Sequence, residues 1–580
     1  MANNRLKRLL PILGWIEGYK TTTFVSDGLA AVIVTLMLVP QALAYALLAG
    51  LPPEVGLYAS MIPLVAYALL GTSATLAIGP VAVASLMTAS ALSGIAESGS
   101  PEYVGAAVIL ATLSGLILFA MGLLRLGFIA NFLSHPVISG FITASGVLIA
   151  GSQLGHLFGI QSSGHNLADM AQSLWRQSDA INPMTLIIGG GTLLFLFLCR
   201  KSLKSYLIRL GLKERLADLA TRAAPVTAII LTTAAAWFFN LGQTAGVQLV
   251  GSVPSGLPEI SLPSLDLTLW ETLLPAALMI SLVGFVESVS VAQTLAAKRR
   301  QQIEPDSELI ALGVANMASG LSGASPVSGG FSRSVVNFEA GAQTPVSGIL
   351  TALGIAIATL TLTGLIAFLP KATLAATIII AVATLIDLPA IGRTLSYSWA
   401  DGTAMLATIV LTLLQGVEAG IITGVGLSLA LFLYRTSRPH SAVVGRIPGT
   451  EHFRNIQRHD VEVDSRAVFL RVDGSLYFAN ARYLEDTVLK LVHDYPDMQN
   501  LVLACQAVSE IDASALESLE AINKRLEDAG ISLSLAEVKG PVMDRLKKTS
   551  FCNDLTGEIF LSTYDAWHRI VEKAEPTTPA

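Results

Sequence analysis

Residues 75–85 read TLAIGPVAVAS and residues 325–334 read SPVSGGFSRS, and these two stretches decide the fold. In each, a short run that favours an extended chain meets glycine or proline, and sequence compatible with a helix follows. Proline is common in the first turn of a helix, and glycine permits a sharp change of direction. Each stretch is therefore predicted to form a short strand and then a helix that begins at the break.

The sequence around these stretches is that of a membrane protein. Of its 580 residues 52% are hydrophobic and 13% are charged, and the mean hydropathy is +0.62. Soluble proteins carry about 25% charged residues, so the composition excludes an ordinary soluble enzyme, a disordered chain and a disulfide scaffold. Eleven further apolar stretches approach the ~20 residues that a span needs. They are 24–48, 55–70, 103–124, 128–154, 184–199, 223–241, 273–297, 346–369, 372–386, 403–414 and 420–433.

The distribution of basic residues predicts the orientation. Lys and Arg cluster at the N-terminus and in residues 200–222, 298–300 and 435–446, and they are absent from 223–297. Because cytoplasmic loops are enriched in basic residues, both termini are predicted to be cytoplasmic, with an even number of spans. The short loops favour the plasma membrane of a bacterium, its inner membrane.

The two broken stretches occupy similar positions in two halves of the chain, which points to a transport site. A helix that begins inside the membrane has unpaired N–H groups and a partial positive charge at its start, so two such ends facing each other bind an anion. The alternative is that glycine and proline are simply common in membrane helices. The residues expected to bind the anion are Gln41, Val81, Ala82, Phe331, Ser332, Arg333 and Ser334.

Charged residues inside apolar stretches are costly and therefore informative. Arg333 is expected to add its charge to the anion site; the alternative is a structural pair with a carboxylate such as Glu339. Glu287 lies in an apolar stretch where loss of water disfavours its charged form, so it could carry a proton. Asp27 and Asp387 lie near predicted span ends and are expected to be interfacial charges.

Motifs elsewhere in the chain carry a family resemblance. The sequences PQALAYA (40–46), AGLPP (49–53) and GLY (56–58), with the Gly79-Pro80 break and the stretch around Arg333, resemble the sulfate permease (SulP) family of anion transporters. The resemblance implies a polytopic α-helical membrane protein of 14 transmembrane segments in two inverted repeats of seven, divided into core and gate domains. It also implies two half-helices, an elevator-like cycle, a homodimer and a C-terminal cytoplasmic α/β STAS domain.

The resemblance also bears on the coupling ion. An acid at the Glu287 position is associated with cation coupling in this family, and in sodium-coupled members it is an Asp followed by a Thr one helical turn later. Here the acid is Glu and the later residue is Val291, which cannot coordinate sodium. The departure favours proton coupling.

The last block of the chain has the composition of a soluble domain, because residues 451–580 hold nearly half of the charged side chains. Its alternation of apolar runs predicts a layered α/β fold that resembles a STAS domain. Asp512 and Ser514 match an Asp-x-Ser loop of that domain, so Ser514 could be a regulatory phosphorylation site, or Asp512 could simply cap a helix. The strands are expected at 467–473, 500–505 and 531–535, the helices at 482–494 and 513–528, and the domains at 1–436 (transporter), 437–455 (linker) and 456–575 (STAS).

The function predicted from these features is proton-coupled uptake of an anion, with sulfate as the leading substrate. The alternatives are bicarbonate, a C4-dicarboxylate such as succinate, or a membrane sensor that signals through the STAS domain to a protein or nucleotide partner. Neither catalysis nor a cofactor is expected. Cys199, Cys505 and Cys552 have no metal-site spacing, and a net charge of −6 argues against nucleic acid as a partner.

Overall fold

A computed structural model describes most of the chain as two compact units, Met1–Ser428 and Leu429–Ala580. The described residues are 11–16, 18–132, 134–160, 166–211, 214, 217, 220, 221, 223–251 and 256–572. Seven described helices are long and apolar enough to cross a membrane, and five shorter apolar helices accompany them.

The first half of the membrane unit runs from α1 to α12. Its elements are α1 Ile12–Ile16, α2 Thr21–Leu48, α3 Pro53–Tyr58, α4 Ile62–Leu70, β1 Ile78–Gly79, α5 Ala82–Leu92, α6 Pro101–Leu123, α7 His135–Phe158, α8 Leu167–Arg176, α9 Pro183–Leu198, α10 Lys204–Arg209, α11 Ala224–Phe238 and α12 Leu241–Thr244. Three of the described helices in this half, α6, α8 and α9, begin at a residue whose side chain caps the helix. Ser100 and Asn182, for example, accept first-turn N–H groups, and each is followed by proline at the first helical position.

The second half repeats the same order of elements. It comprises α13 Leu267–Lys298, α14 Pro305–Leu321, β2 Ser328–Gly329, α15 Phe331–Glu339, α16 Val346–Ile366, α17 Lys371–Val382, α18 Leu388–Tyr397, α19 Trp399–Gln415 and α20 Val417–Ser437. The apolar segments α2, α4, α5, α6, α7, α9 and α11 thus correspond to α13, α14, α15, α16, α17, α19 and α20. The amphipathic helices α8 and α18 follow the fifth segment of each half. Seven plus seven segments agree with the fold expected from the family resemblance.

Both broken stretches form a short strand followed by a helix, as the sequence predicts. The strands β1 and β2 pair with each other antiparallel, Ile78 opposite Gly329 and Gly79 opposite Ser328. The helices α5 and α15 therefore begin next to each other, although about 250 residues separate them along the chain. This strand pair joins the two halves at the place where both helices are broken.

The helices of the membrane unit pack in two groups. One group contains α2, α6, α13, α14 and α16 with the broken segments, and the other contains α7, α9, α17, α18 and α19. In the first group α6 and α14 approach closely because glycines face each other. A Cβ on Gly115 would lie 2.5 Å from the Met317 nitrogen, and one on Gly313 would lie 2.6 Å from the Phe119 nitrogen. Small residues at such contacts allow membrane helices to pack by van der Waals contact.

The C-terminal unit contains a six-stranded sheet in the order β4-β3-β5-β6-β7-β8. Strands β5 to β8 are parallel, and β3 and β4 add antiparallel at one edge. The elements are β3 Ser441–Arg446, β4 Phe453–Asn455, β5 Ala467–Val472, α21 Ala481–Asp494, β6 Asn500–Ala504, α22 Ala513–Asp528, β7 Ser532–Ala536, α23 Gly540–Leu546, α24 Phe551–Asp554, β8 Ile559–Phe560 and α25 Thr563–Trp567.

The predicted strands and helices of this unit agree with the structure to within one or two residues. The range 437–455 differs from expectation, since it contributes β3 and β4 to the sheet where we expect a linker. The apolar pattern of Ser441–Arg446 buries Ala442 and Val444, which explains why these residues join a sheet.

Candidate functional site

The two half-helices begin without a side-chain cap. Their N-cap residues are Val81 and Gly330, and neither α5 nor α15 has a capping hydrogen bond from a side chain. The first hydrogen bonds within these helices run from the Ser85 nitrogen to the Val81 oxygen and from the Ser334 nitrogen to the Gly330 oxygen. The N–H groups before them have no acceptor within their own helix. They belong to Ala82, Val83, Ala84, Phe331, Ser332 and Arg333.

A cavity of about 60 Å³ lies in front of both helix starts. Its volume is large enough for a few water-sized groups. The first helix group supplies most of the lining, and the C-terminal end of α17 with the residues after it supplies the rest. The lining residues are Gln41, Tyr45, Val81, Ala82, Val83, Glu287, Gly330, Phe331, Ser332, Arg333, Ala381, Val382, Thr384 and Leu385.

Arg333 is 2% exposed, and its guanidinium group joins the two broken segments by hydrogen bonds. It donates from Nε to the Ala77 oxygen (2.8 Å), from Nη1 to the Pro80 oxygen (2.7 Å), and from Nη2 to the oxygens of Gly79 (2.8 Å) and Ser328 (2.9 Å). Its partners are thus backbone carbonyls of both broken segments, and not the Glu339 carboxylate considered from the sequence. One N–H of Nη1 remains for a further acceptor.

Glycine next to Arg333 makes this arrangement possible. A Cβ on Gly330 would lie 2.8 Å from both Cζ and Nε of Arg333, and the guanidinium cannot move aside without losing its carbonyl partners. Gly330 therefore has a packing reason, because only a residue without a Cβ leaves room for the guanidinium.

Ser334 does not line the cavity, in contrast to the expectation that it binds the anion. Its hydroxyl donates to the Gly330 oxygen (2.7 Å) and accepts from the Ala77 nitrogen (2.9 Å). Because the side chain is fully buried by these contacts, it connects α15 to the segment before β1. The other six residues predicted to bind the anion do line the cavity.

Glu287 is half-buried and faces two cavities. One is the cavity in front of the two helix starts, named the anion cavity for the ligand expected there. The other is an apolar cavity of about 20 Å³ lined by valines, isoleucines and Phe141. Glu287 and Arg333 attract each other electrostatically. The next residue, Ser288, accepts a hydrogen bond from the Gly329 nitrogen (2.8 Å), so α13 also fixes the position of β2.

Sequence reasoning missed several lining residues. Tyr45 lies four residues after Gln41 and so on the same face of α2, a spacing that could have identified it. Thr384 and Leu385 follow α17, and nothing in their local sequence indicates that they close the cavity.

Asp27 is fully buried, so the expectation of an interfacial charge is wrong for this residue. Its carboxylate accepts from the backbone nitrogens of Gln343 (2.6 Å) and Thr344 (3.2 Å), from the Thr344 hydroxyl (2.6 Å) and from the Tyr19 hydroxyl (3.1 Å). It thereby anchors the loop that follows α15. Asp387, by contrast, is exposed, caps α18 and pairs with Arg393 at 3.0 Å.

Glu308 is, after Asp27, a second fully buried acid, which sequence reasoning missed because it follows a charged loop. It accepts from the Tyr67 hydroxyl (2.7 Å) and from the nitrogen (2.7 Å) and hydroxyl (2.6 Å) of Thr72. These contacts connect α14 to the end of α4. Buried carboxylates of this kind are stabilised by donors, and nothing aims Glu308 into the anion cavity.

In the C-terminal unit Asp512 is the N-cap of α22. It accepts from the nitrogens of Ala515 (2.9 Å) and Phe478 (2.8 Å), and Ser514 is exposed in the first turn. Phosphorylation of Ser514 stays a prediction. Among the described residues no group of three or more His, Cys, Asp or Glu side chains is arranged to hold a metal ion.

Comparison with known sequences assigns the family. The model of the sulfate permease family matches residues 24–408, well over half of the chain. The chain belongs to the sulfate permease family. The STAS domain model matches residues 458–566. Sulfate permease family membership thus agrees with the resemblance carried by the motifs around Gln41 and Arg333.

Curated relatives of this sulfate permease family member are named as transporters, not as enzymes. The chain is 35% identical over 574 residues to Sulfate transporter 4.1, chloroplastic, of Arabidopsis thaliana, covering 96% of this chain and 82% of the relative. It is 31% identical over 581 residues to High affinity sulfate transporter 2 of Stylosanthes hamata, covering 97% and 86%. These plant names give no support to a bacterial inner membrane.

Solved structures share the fold. A structure of murine Slc26a9, an anion transporter in the inward-facing state, superposes with a TM-score of 0.86 at 24% identity and covers 96% of this chain and 93% of that one. The transmembrane domain of the cyanobacterial bicarbonate transporter BicA gives a TM-score of 0.60 at 23% identity, covering 69% and 98%. The 14-segment fold with a STAS domain, predicted from the family resemblance, is confirmed. The protein is a multi-pass membrane protein of an anion transporter family.

Proposed function

We propose that this protein takes up sulfate together with protons. The observation that carries the proposal is the cavity between two uncapped helix starts, with Arg333 in its lining. A small oxyanion in this cavity can accept from the free first-turn N–H groups, and the two helix dipoles favour its negative charge. The names of the plant relatives support sulfate as the substrate.

The polar side chains of the cavity suit a tetrahedral oxyanion. The amide of Gln41 and the hydroxyls of Tyr45 and Ser332 are donors in the lining, and Arg333 has one N–H to spare. Bicarbonate and succinate are also anions, and one arginine with two helix ends does not separate them. They are therefore the competitors that the experiment must include.

Coupling to protons is assigned to Glu287. When it is protonated, the cavity holds the positive charge of Arg333 and the helix ends, which favours a dianion. When it is ionised, its negative charge lies against the same cavity and opposes the anion. Proton release from Glu287 would thus favour anion release.

An elevator-like cycle fits the way the lining is divided. Most lining residues lie on α2, α5, α13 and α15 in the first helix group, whereas Ala381, Val382, Thr384 and Leu385 belong to the second group. Movement of the first group past the second would carry the anion across the membrane. We also retain as proposals the homodimer, a protein or nucleotide partner of the STAS domain, cytoplasmic termini, a bacterial inner membrane, and the end of the transporter domain at residue 436.

The test is uptake of radiolabelled sulfate into proteoliposomes at an internal pH of about 7.5, with the external pH stepped from about 7.5 to 5.5. Uptake is expected to rise in acid, and Glu287→Gln is expected to remove that response. Asp387→Asn is the matched control, because this carboxylate is exposed and outside the cavity. Unlabelled bicarbonate and succinate are added separately as competitors.

If the rate of sulfate uptake does not depend on the external pH, proton coupling is refuted. If sulfate does not enter but succinate or bicarbonate does, the substrate assignment is wrong. Sulfate binding without any flux would favour the alternative function, a membrane sensor that signals through the STAS domain.

A further inference from the structure

In the turns of α13 around Glu287, the exposed side chains change from apolar to polar. Before it, the exposed side chains of α13 include Leu274 and Leu278, at 48% and 43%. In the two turns after it, the exposed positions are Ser290, Gln293 and Thr294, and exposed Ala297 and Lys298 follow in the last turn. Apolar exposed residues suit contact with lipid, but exposed polar residues within a membrane helix face water or protein.

These polar residues continue along one side of the helix from Glu287. Residues three, four and seven positions apart lie on the same side of an α-helix, which places Ser290 and Thr294 below Glu287. Ser290 is about 4.5 Å and Gln293 about 9 Å further along the axis. This polar stripe, formed by Ser290, Gln293 and Thr294, leads to Lys298. Lys298 and the basic residues after it mark the cytoplasmic end of the helix.

A third cavity opens onto this side of α13. Its volume is about 160 Å³, and it is lined by Gly127, Phe128, Val289, Ser290, Gln293, Pro305 and Asp306. It can hold several water molecules, since one water needs about 10–15 Å³. Asp306 is the charged residue of this lining, and its carboxylate accepts from the Gly127 nitrogen at 2.8 Å.

We propose that this cavity is the route by which the Glu287 proton reaches the cytoplasm. The O–H bond of the Glu287 carboxyl breaks, a water molecule beside Ser290 takes the proton, and the charge passes through water past Gln293 to Asp306 and the cytoplasm. Glu287 itself lines the anion cavity with Tyr45 and Arg333, and the 160 Å³ cavity begins at Val289 and Ser290, within one helical turn of Glu287 along α13. The inference rests on the proposed proton coupling and adds Ser290, Gln293 and Asp306 to it as positioning residues.

The first arm of the test measures whether the polar stripe of α13 is accessible to water. Ser290→Cys and Leu278→Cys are made in a chain whose Cys199, Cys505 and Cys552 are replaced by alanine, and are treated with a charged, membrane-impermeant methanethiosulfonate from the cytoplasmic side. Leu278 is the control because it lies nine residues before Glu287, on the opposite face of the helix from Glu287. Ser290→Cys is expected to react at least about tenfold faster; equal rates would overturn the proposal.

The second arm separates proton release from anion movement. The double variant Ser290→Ala, Gln293→Leu removes the hydroxyl and the amide that would hold water there, at similar side-chain volume. Acid-driven sulfate uptake is expected to fall about tenfold, whereas sulfate–sulfate exchange at equal pH stays within about twofold. If both activities fall alike, or if neither falls, the proposed route is wrong.

The unmodified protein distinguishes failure of this inference from failure of proton coupling. If it exchanges sulfate but shows no acid-driven uptake, coupling is refuted and the proton route is refuted with it. If it shows acid-driven uptake and the double variant keeps it, only the route is refuted.

Discussion

Replacing Arg333 by lysine keeps the positive charge of the site but removes the planar guanidinium that joins the two broken segments. The guanidinium donates four hydrogen bonds to carbonyls of both broken segments. An ammonium has three N–H groups at one point and no planar fork, so at least one carbonyl loses its partner. Arg333→Lys thus separates the charge of the residue from its role in joining β1 to β2.

The structure gives the size of the effect. A buried acceptor left without a donor costs about 1–3 kcal/mol. Arg333→Ala removes a donor from four carbonyls, of which the Ala77 oxygen keeps a hydrogen bond from the Gly330 nitrogen (3.2 Å). The three others should destabilise the protein by on the order of 3 kcal/mol even at the lower end of that range. Arg333→Lys should cost at least about 1 kcal/mol. Because the helix starts shift when the break loosens, sulfate affinity should also fall about tenfold or more.

Thermal unfolding in detergent and equilibrium binding of radiolabelled sulfate measure the two quantities on the same preparations. Arg393→Lys is the matched control, since Arg393 is exposed and pairs only at the surface with Asp387 in the contact described. Its substitution should change neither the melting temperature nor the affinity. Arg333→Lys should lower both, and Arg333→Ala should lower them further.

Two results would refute this reasoning. If Arg333→Lys has the melting temperature of the parent protein and a sulfate affinity within about twofold of it, charge alone matters and the carbonyl contacts contribute nothing. If Arg333→Ala retains sulfate affinity, the anion does not bind where the two half-helices begin.

Two further residues lead to simpler predictions. Asp27→Asn removes a buried charge that accepts from Tyr19 and from Thr344, so it should lower the melting temperature and leave part of the loop after α15 susceptible to protease; unchanged digestion would contradict this. In the C-terminal unit the hydrogen bond from Arg466 lowers the pKa of Asp464, and burial opposes this shift without cancelling it. Its stabilisation is therefore present above the unfolded pKa of about 3.9 and is lost as pH falls through the lower folded value, and Asp464→Asn should remove that part of the acid dependence of unfolding monitored by circular dichroism.

Local sequence was sufficient for the elements that depend on local chemistry. The strand-and-helix form of the two breaks follows from glycine and proline, and the strands of the C-terminal unit follow from short apolar runs. Six of the seven residues expected at the anion site line one cavity because they lie on, or immediately before, the first turns of the half-helices, or on α2 beside them.

What the sequence could not supply were the contacts between distant segments. Asp27 reads as an end-of-span charge, and its burial depends on a loop more than 300 residues later in the chain. Glu308 reads as part of a charged loop until Tyr67 is placed beside it. Thr384 and Leu385 reach the cavity only through the packing of α17, which no local pattern encodes.

The pairing of β1 with β2 explains why the proposed site is suited to an anion. Breaking a membrane helix leaves both carbonyl and N–H groups without partners, and in lipid each costs several kcal/mol. Here the carbonyls of the breaks accept from the guanidinium of Arg333, and the Ala77 N–H is paired with Ser334. The groups left over are first-turn N–H groups of α5 and α15, all of them donors. Once the acceptors are satisfied internally, only a ligand rich in acceptors can complete the hydrogen bonding of the site.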